Sequence, residues 1–215
     1  MRLFHISNKQ LLVGVSCLST LVSLLAVFAW GQSYGWQLSH LSVYQLFPLF
    51  GLLAFSLLWS QYIAGALQLF TQPAGQLQRY FTVTGYAVLL AILLHPGLLV
   101  YQRFHDGYGL PPGSYLSYVA PSLQWVALLG TVSFFILLAY ELHRWFSGKS
   151  WWRYVSYLTD AAVLAIFYHS LRLGSQLMSG WFRDLWYVYG LTLVLALAAQ
   201  YLFKADAHAD LPAEK

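Results

Sequence analysis

The sequence predicts an all-α fold, a six-helix transmembrane bundle with both termini cytoplasmic. Three features point there: too few charges to wet a globule, six long apolar segments, and a lopsided distribution of lysine and arginine. Only 8% of the 215 residues are charged, against 59% hydrophobic and 18% aromatic. A soluble domain carries about 25% charged residues, so this chain could not solvate its own surface in water.

A spanning helix needs about 20 mostly apolar residues. Segments 11–30, 43–66, 81–102, 119–142, 154–173 and 184–204 meet that need. The first follows Arg2 and Lys9 and ends near "VFA" (Val27 to Ala29), which resembles a signal-peptide cleavage site. Its apolar run exceeds the roughly 7–15 residues of a signal core, so it is read as a retained helix. The second is blurred, because the apolar pattern runs from Leu41 to Phe70 and Pro48 interrupts it. The third contains His95 and Pro96, and the fifth contains Asp160 and His169. The sixth gives way to a polar tail, "ADAHADLPAEK". The expected organisation is therefore a first helix and outer loop over 1–42, a membrane domain over 43–204 and a cytoplasmic tail over 205–215. No internal repeat is visible.

Orientation follows from the basic residues, which concentrate on cytoplasmic loops. With the N-terminus inside, Arg2, Lys9, Arg79, Arg144, Lys149, Arg153, Lys204 and Lys215 are cytoplasmic, and Arg103, Arg172 and Arg183 are outside. That bias requires an even number of spans, and six satisfies it. The outer loop "HDGYGLPPGSY" has the Gly and Pro content of ordered turns. Trp and Tyr gather near span ends, as in "SWWRY" and "GWFRDLWYVY", where amphipathic rings sit at headgroup level.

Several function classes drop out. The net charge of +4 comes from scattered loop residues rather than a basic stripe, so nucleic acid is not an expected partner. Cys17 is the single cysteine, which excludes an internal disulfide, a CxxC pair and a cysteine-based zinc or iron–sulfur centre. No broken-helix pair suggests a transporter, and no nucleophile and base suggest intramembrane hydrolysis.

Of seven histidines, His5 and His208 lie in the termini, and His40, His105 and His143 lie at span edges. His95 and His169 are within spans. Counted from the cytoplasmic ends near Tyr80 and Arg153, they lie about 22 and 24 Å deep at 1.5 Å per residue. They thus sit at one height, in the outer half of the bilayer. Ionisable residues at such depth face the bundle interior and have a partner. Two readings are open: hydrogen bonding to neighbouring helices, or ligation of one metal centre from opposite sides. Two histidines alone make a poor four-ligand zinc site, whereas haem supplies four nitrogens of its own and needs only axial ligands.

The stretch "LQRYFTVTGYAVLLAILLHPGLLVY" resembles the third helix of the ferric-reductase-like transmembrane domain, in which a basic residue opens the helix and a haem-ligating histidine follows several turns later. "WWRYVSYLTDAAVLAIFYHSLRLG" resembles the fifth helix of that domain, which also ends in a ligating histidine. The family includes ferric reductases, the membrane domains of NADPH oxidases and the haem subunit of the bacterial methionine sulfoxide reductase system. The resemblance covers roughly residues 43 to 204 and implies His95 and His169 as axial ligands of haem b. Two-haem members carry a second histidine nearer the cytoplasmic end of each helix. Phe81 or Thr82, and Val155 or Ser156, stand at those positions here. One haem is therefore expected, near the outer face.

Bis-histidine ligation favours electron transfer over oxygen binding. The expected activity is that of a multi-pass cytochrome b of a bacterial inner membrane, the electron-transfer component of an oxidoreductase system. It would pass electrons from a flavin or quinol to an extracytoplasmic acceptor, with a separate flavoprotein or exported reductase as partner. Arg172, three residues after His169, and Arg103 are the expected partners of the haem propionates. Asp160, about nine residues from His169 and on the opposite helix face, is a candidate proton relay for quinol chemistry. Gln61, Gln124 and Glu141 are undecided. The alternative function is a haem-free scaffold or assembly subunit whose two histidines are structural.

Overall fold

A computed structural model describes residues 7–37, 39, 41–71, 77–140, 149 and 151–209. Residues 141–148, which include Glu141, His143 and Arg144, lie outside them, as do His5, His40 and the last six residues. Among the described residues there is no strand. The described residues form seven α-helices and two 3₁₀ turns: α1 (Asn8–Ser33), α2 (Val43–Thr71), α3 (Gln78–His105), α4 (Gly113–Leu116), α5 (Gln124–Tyr140), α6 (Trp152–Leu173) and α7 (Trp181–Ala209). The 3₁₀ turns Pro121–Leu123 and Ser175–Leu177 lead into α5 and follow α6.

Local chemistry sets the ends. Ser7 caps α1 in a reciprocal box with Gln10, each satisfying a backbone N–H that the first turn would leave unpaired. Pro48 and Pro96 both lie inside continuous helices. Pro48, the sixth residue of α2, removes the bond its N–H would make to the Tyr44 carbonyl, yet the helix continues through it from Val43 to Thr71. The outer loop turns back at Gly107 and Gly109, whose φ of +84° and +77° are accessible to glycine without strain. Helix α7 runs past the expected end of the sixth span, because Ala205, Ala207 and Ala209 favour helix whether or not lipid surrounds them.

Among the described residues, five helices are long and apolar enough to cross a membrane: α1, α2, α3, α5 with its leading turn, and α7. Helix α6 has 22 residues, about 33 Å at 1.5 Å each, so it has the length. It is less apolar because Arg153, Asp160, His169 and Arg172 lie along it. The chain is a multi-pass membrane protein. Its outward side chains agree: Leu21, Leu24, Val83, Leu90, Phe135, Leu191 and Leu195 are all more than half exposed, an apolar surface suited to acyl chains.

Helix α2 is the hub, packing against α1, α3, α6 and α7, while α5 packs along α6. The core is aromatic where α2 meets α7. Phe55 lies 4.9 Å from Trp186, and Trp59 stacks on Tyr189 at 4.3 Å between ring centroids. Each indole N–H is satisfied across helices, Trp59 to Thr192 Oγ1 at 3.0 Å and Trp186 to Ser170 Oγ at 2.8 Å. In lipid, helices associate through close packing and interhelical hydrogen bonds, not through hydrophobic burial, and small residues set how closely they approach. At Gly190 an added Cβ would run into the Phe167 ring. Gly190→Ala should therefore destabilise the α6–α7 contact by about 1–3 kcal/mol, the usual cost of overpacking. Thermal unfolding in detergent should show the loss, and an unchanged midpoint would contradict the packing described.

Candidate functional site

His95 and His169 occupy equivalent places in two helix pairs. Each lies seventeen residues after the first residue of its helix (78 to 95 in α3, 152 to 169 in α6). Each ring leans on the preceding long helix, α2 or α5. His95 Nδ1 donates to the Phe47 carbonyl at 2.8 Å, and His169 Nδ1 donates to the Val126 carbonyl at 2.9 Å. A carbonyl can only accept, so Nδ1 carries the proton in both rings. In the neutral imidazole Nε2 is then bare, with its lone pair available. Fixing one ring nitrogen on a carbonyl so that the other can ligate is the usual outer-shell arrangement around a metal-bound histidine.

A glycine makes each bond possible. A helical Cα–Cβ bond tilts toward the N-terminus, so residue i+4 covers the carbonyl of residue i. Four residues after Phe47 comes Gly51, and four after Val126 comes Gly130. A Cβ on Gly51 would stand 2.8 Å from the His95 ring, and one on Gly130 would stand 2.5 Å from the His169 ring. The missing side chains therefore both uncover the carbonyl and seat the imidazole. Both rings are half-buried. Their helices, α3 and α6, do not pack extensively on one another.

The arginines differ in their availability. Arg103 is buried and committed to the outer loop: Nε donates to the Ser114 carbonyl at 3.0 Å and Nη2 to Ser117 Oγ at 2.6 Å, with Tyr108 under the guanidinium at 3.3 Å. Arg172 is exposed in the last turn of α6 and makes no hydrogen bond or ion pair to the described residues. The loop that Arg103 organises closes over the α2–α3 end. Tyr118 stacks on Tyr44 at 5.5 Å and meets Phe47 edge-on, and Phe47 lies against His95 at 5.4 Å. Tyr44 O–H donates to Asp106, which holds that carboxyl below the usual carboxylate range.

Asp160 is half-buried in the inner part of α6, about 13 Å from His169 along the axis. Its two oxygens accept from Tyr62 of α2 at 2.7 Å and from Tyr201 of α7 at 2.5 Å, and the Tyr157 ring lies 5.8 Å from that of Tyr201. The partner is thus a pair of tyrosines on two other helices. Gln61 is spent on Thr84, at 2.8 Å, and Gln124 on the Leu116 carbonyl, at 3.2 Å.

Among the described residues, no three of His, Cys, Asp and Glu gather to hold a metal ion with side chains alone. The donor set is two imidazoles with bare Nε2 atoms, each in a glycine cradle. That set fits the axial positions of haem iron, whose macrocycle supplies the other ligands. No family model, curated protein or solved structure matches this chain.

The tautomer can be read directly. In protein labelled with ¹⁵N-histidine and freed of haem, both buried rings should show a protonated Nδ1 and an unprotonated Nε2. An Nε2-protonated signal for either ring would contradict the carbonyl bonds.

Proposed function

We propose that the protein is a membrane cytochrome b of the ferric-reductase-like class, holding one haem b between His95 and His169 and passing electrons from a flavin or quinol to an extracytoplasmic acceptor. What supports this reading is that two helices each carry, seventeen residues after their first residue, a histidine whose Nδ1 is held by a carbonyl and whose Nε2 is left bare. Haem, when bound, supplies a one-electron carrier. The chain's own residues do the rest. Phe47 and Val126 hold the rings in the ligating tautomer, Gly51 and Gly130 seat them, and Arg172 offers the propionates a free guanidinium at the outer end. The outer loop, pinned by Arg103, keeps water from the His95 side.

In this reading α6 is the fifth of six spans, carried across by neighbours that satisfy its polar groups, and both termini are cytoplasmic in a bacterial inner membrane. The haem then lies far from the cytoplasmic face, and electrons reach it from a flavin or quinol in the inner half or from a separate flavoprotein or exported reductase. Asp160, within hydrogen-bond reach of Tyr62 and Tyr201, is the group placed to take a proton from a quinol.

Purified protein from haem-sufficient cells should give the reduced-minus-oxidised absorption bands of low-spin haem b, abolished by His95→Ala or His169→Ala. A colourless preparation would overturn the proposal in favour of a haem-free scaffold. Gly130→Ala should lower haem content several-fold although alanine favours helix by about 1 kcal/mol over glycine; full retention would mean that the cradle is irrelevant. Asp160→Asn should slow reduction by quinol while leaving the spectrum intact, and an unchanged rate would remove Asp160 from the electron-input step.

A further inference from the structure

A second site lies on the other side of the hub, between α1 and α3. A groove of about 640 Å³ opens there toward the surrounding lipid. Along α1 it is lined by Leu12, Ser16, Ser19, Thr20, Ser23 and Val27, and Arg79 and Tyr80 line it at the start of α3. From Leu12 to Val27 is fifteen residues, about 22 Å at 1.5 Å each. Half a bilayer with its headgroup region is about 20–22 Å. The groove is therefore one leaflet long.

Its two ends differ in chemistry. Lys9 lies three residues before Leu12 and seven before Ser16, so at 100° per residue it sits on the groove-lining stripe of α1. Arg79 faces it from α3. Both side chains are exposed, and neither has a carboxylate partner among the described residues. In the floor the Ser19 hydroxyl is hydrogen-bonded to those of Ser60 and Tyr80, at 2.9 and 2.7 Å. Toward Val27 the lining carries no charge. Two cations at headgroup level above a leaflet-long apolar channel match an anionic amphiphile held by its phosphate.

We propose that the α1–α3 groove is a binding site for one anionic phospholipid, its phosphate between Lys9 and Arg79 and one acyl chain along the Ser16–Ser23 face. A quinone would fill the channel but would leave both cations without a counter-charge. On the orientation proposed above the lipid belongs to the cytoplasmic leaflet, where anionic lipids supply about 1 kcal/mol per adjacent lysine or arginine. The site stands apart from both histidines and does not depend on haem.

The test is native mass spectrometry of the full-length protein extracted from vesicles of equal phosphatidylglycerol and phosphatidylcholine. Wild type should retain one phosphatidylglycerol per chain. The Lys9→Ala, Arg79→Ala double variant should lose that preference by about 30-fold, the factor expected for two such cations, and the Lys9→Arg, Arg79→Lys variant should keep it. Ser23→Trp, which fills the channel and leaves both cations, should also release the lipid. Equal retention of both lipids by wild type, undiminished phosphatidylglycerol on the double variant, or a quinone in the groove would each overturn the proposal.

Discussion

The bond from a histidine Nδ1 to a backbone carbonyl of the neighbouring helix is the constraint on which the rest of the site depends. An imidazole within a membrane span is costly unless its polar atoms are satisfied. A helix in lipid normally offers nothing to satisfy them, because its carbonyls are engaged and covered. Glycine changes that locally. At Gly51 and Gly130 the absent Cβ exposes the second lone pair of a carbonyl already accepting within its helix, and the histidine takes it. One bond thus meets the solvation need of the ring, selects the tautomer and leaves the remaining nitrogen unprotonated.

The same device occurs twice without any repeat in the sequence. Helices α2 and α3 form one copy, and α5 and α6 form the other. The two copies are joined through α2, which also packs on α6 and α7. Asp160 strengthens that junction, since its carboxylate takes one phenol from α2 and one from α7. A carboxylate bridging α2, α6 and α7 and a guanidinium pinning the loop after α3 tie the bundle together at two separate places. The rings between them are then held by a frame with little freedom to splay.

Much of this was legible in the sequence. Charge scarcity and segment length gave the helical membrane class, and counting along the apolar segments singled out His95 and His169 as histidines inside long helices. The fifth segment was harder, because α6 carries Asp160, His169 and Arg172 and is the long helix that falls short of a membrane span on its own hydropathy. The supporting residues were not legible. Gly51 and Gly130 are lone glycines in apolar helices, a pattern that also marks ordinary close packing, and their meaning depends on which helix comes to rest against them. Nor does spacing pair Asp160 with Tyr62, 98 residues away in the chain. Arg103 and Arg172 look alike as outer basic residues, yet the fold buries one in a loop and leaves the other free. A Cβ vector and a helix neighbour decide such cases, and both belong to tertiary structure.

The central claim is that one iron sits between the two bare nitrogens. Electron paramagnetic resonance of the oxidised, purified protein tests it most directly. The account predicts a low-spin ferric signal that integrates to one iron per chain. A high-spin signal of similar intensity would show that one imidazole is not a ligand, and the paired-cradle reading would fail.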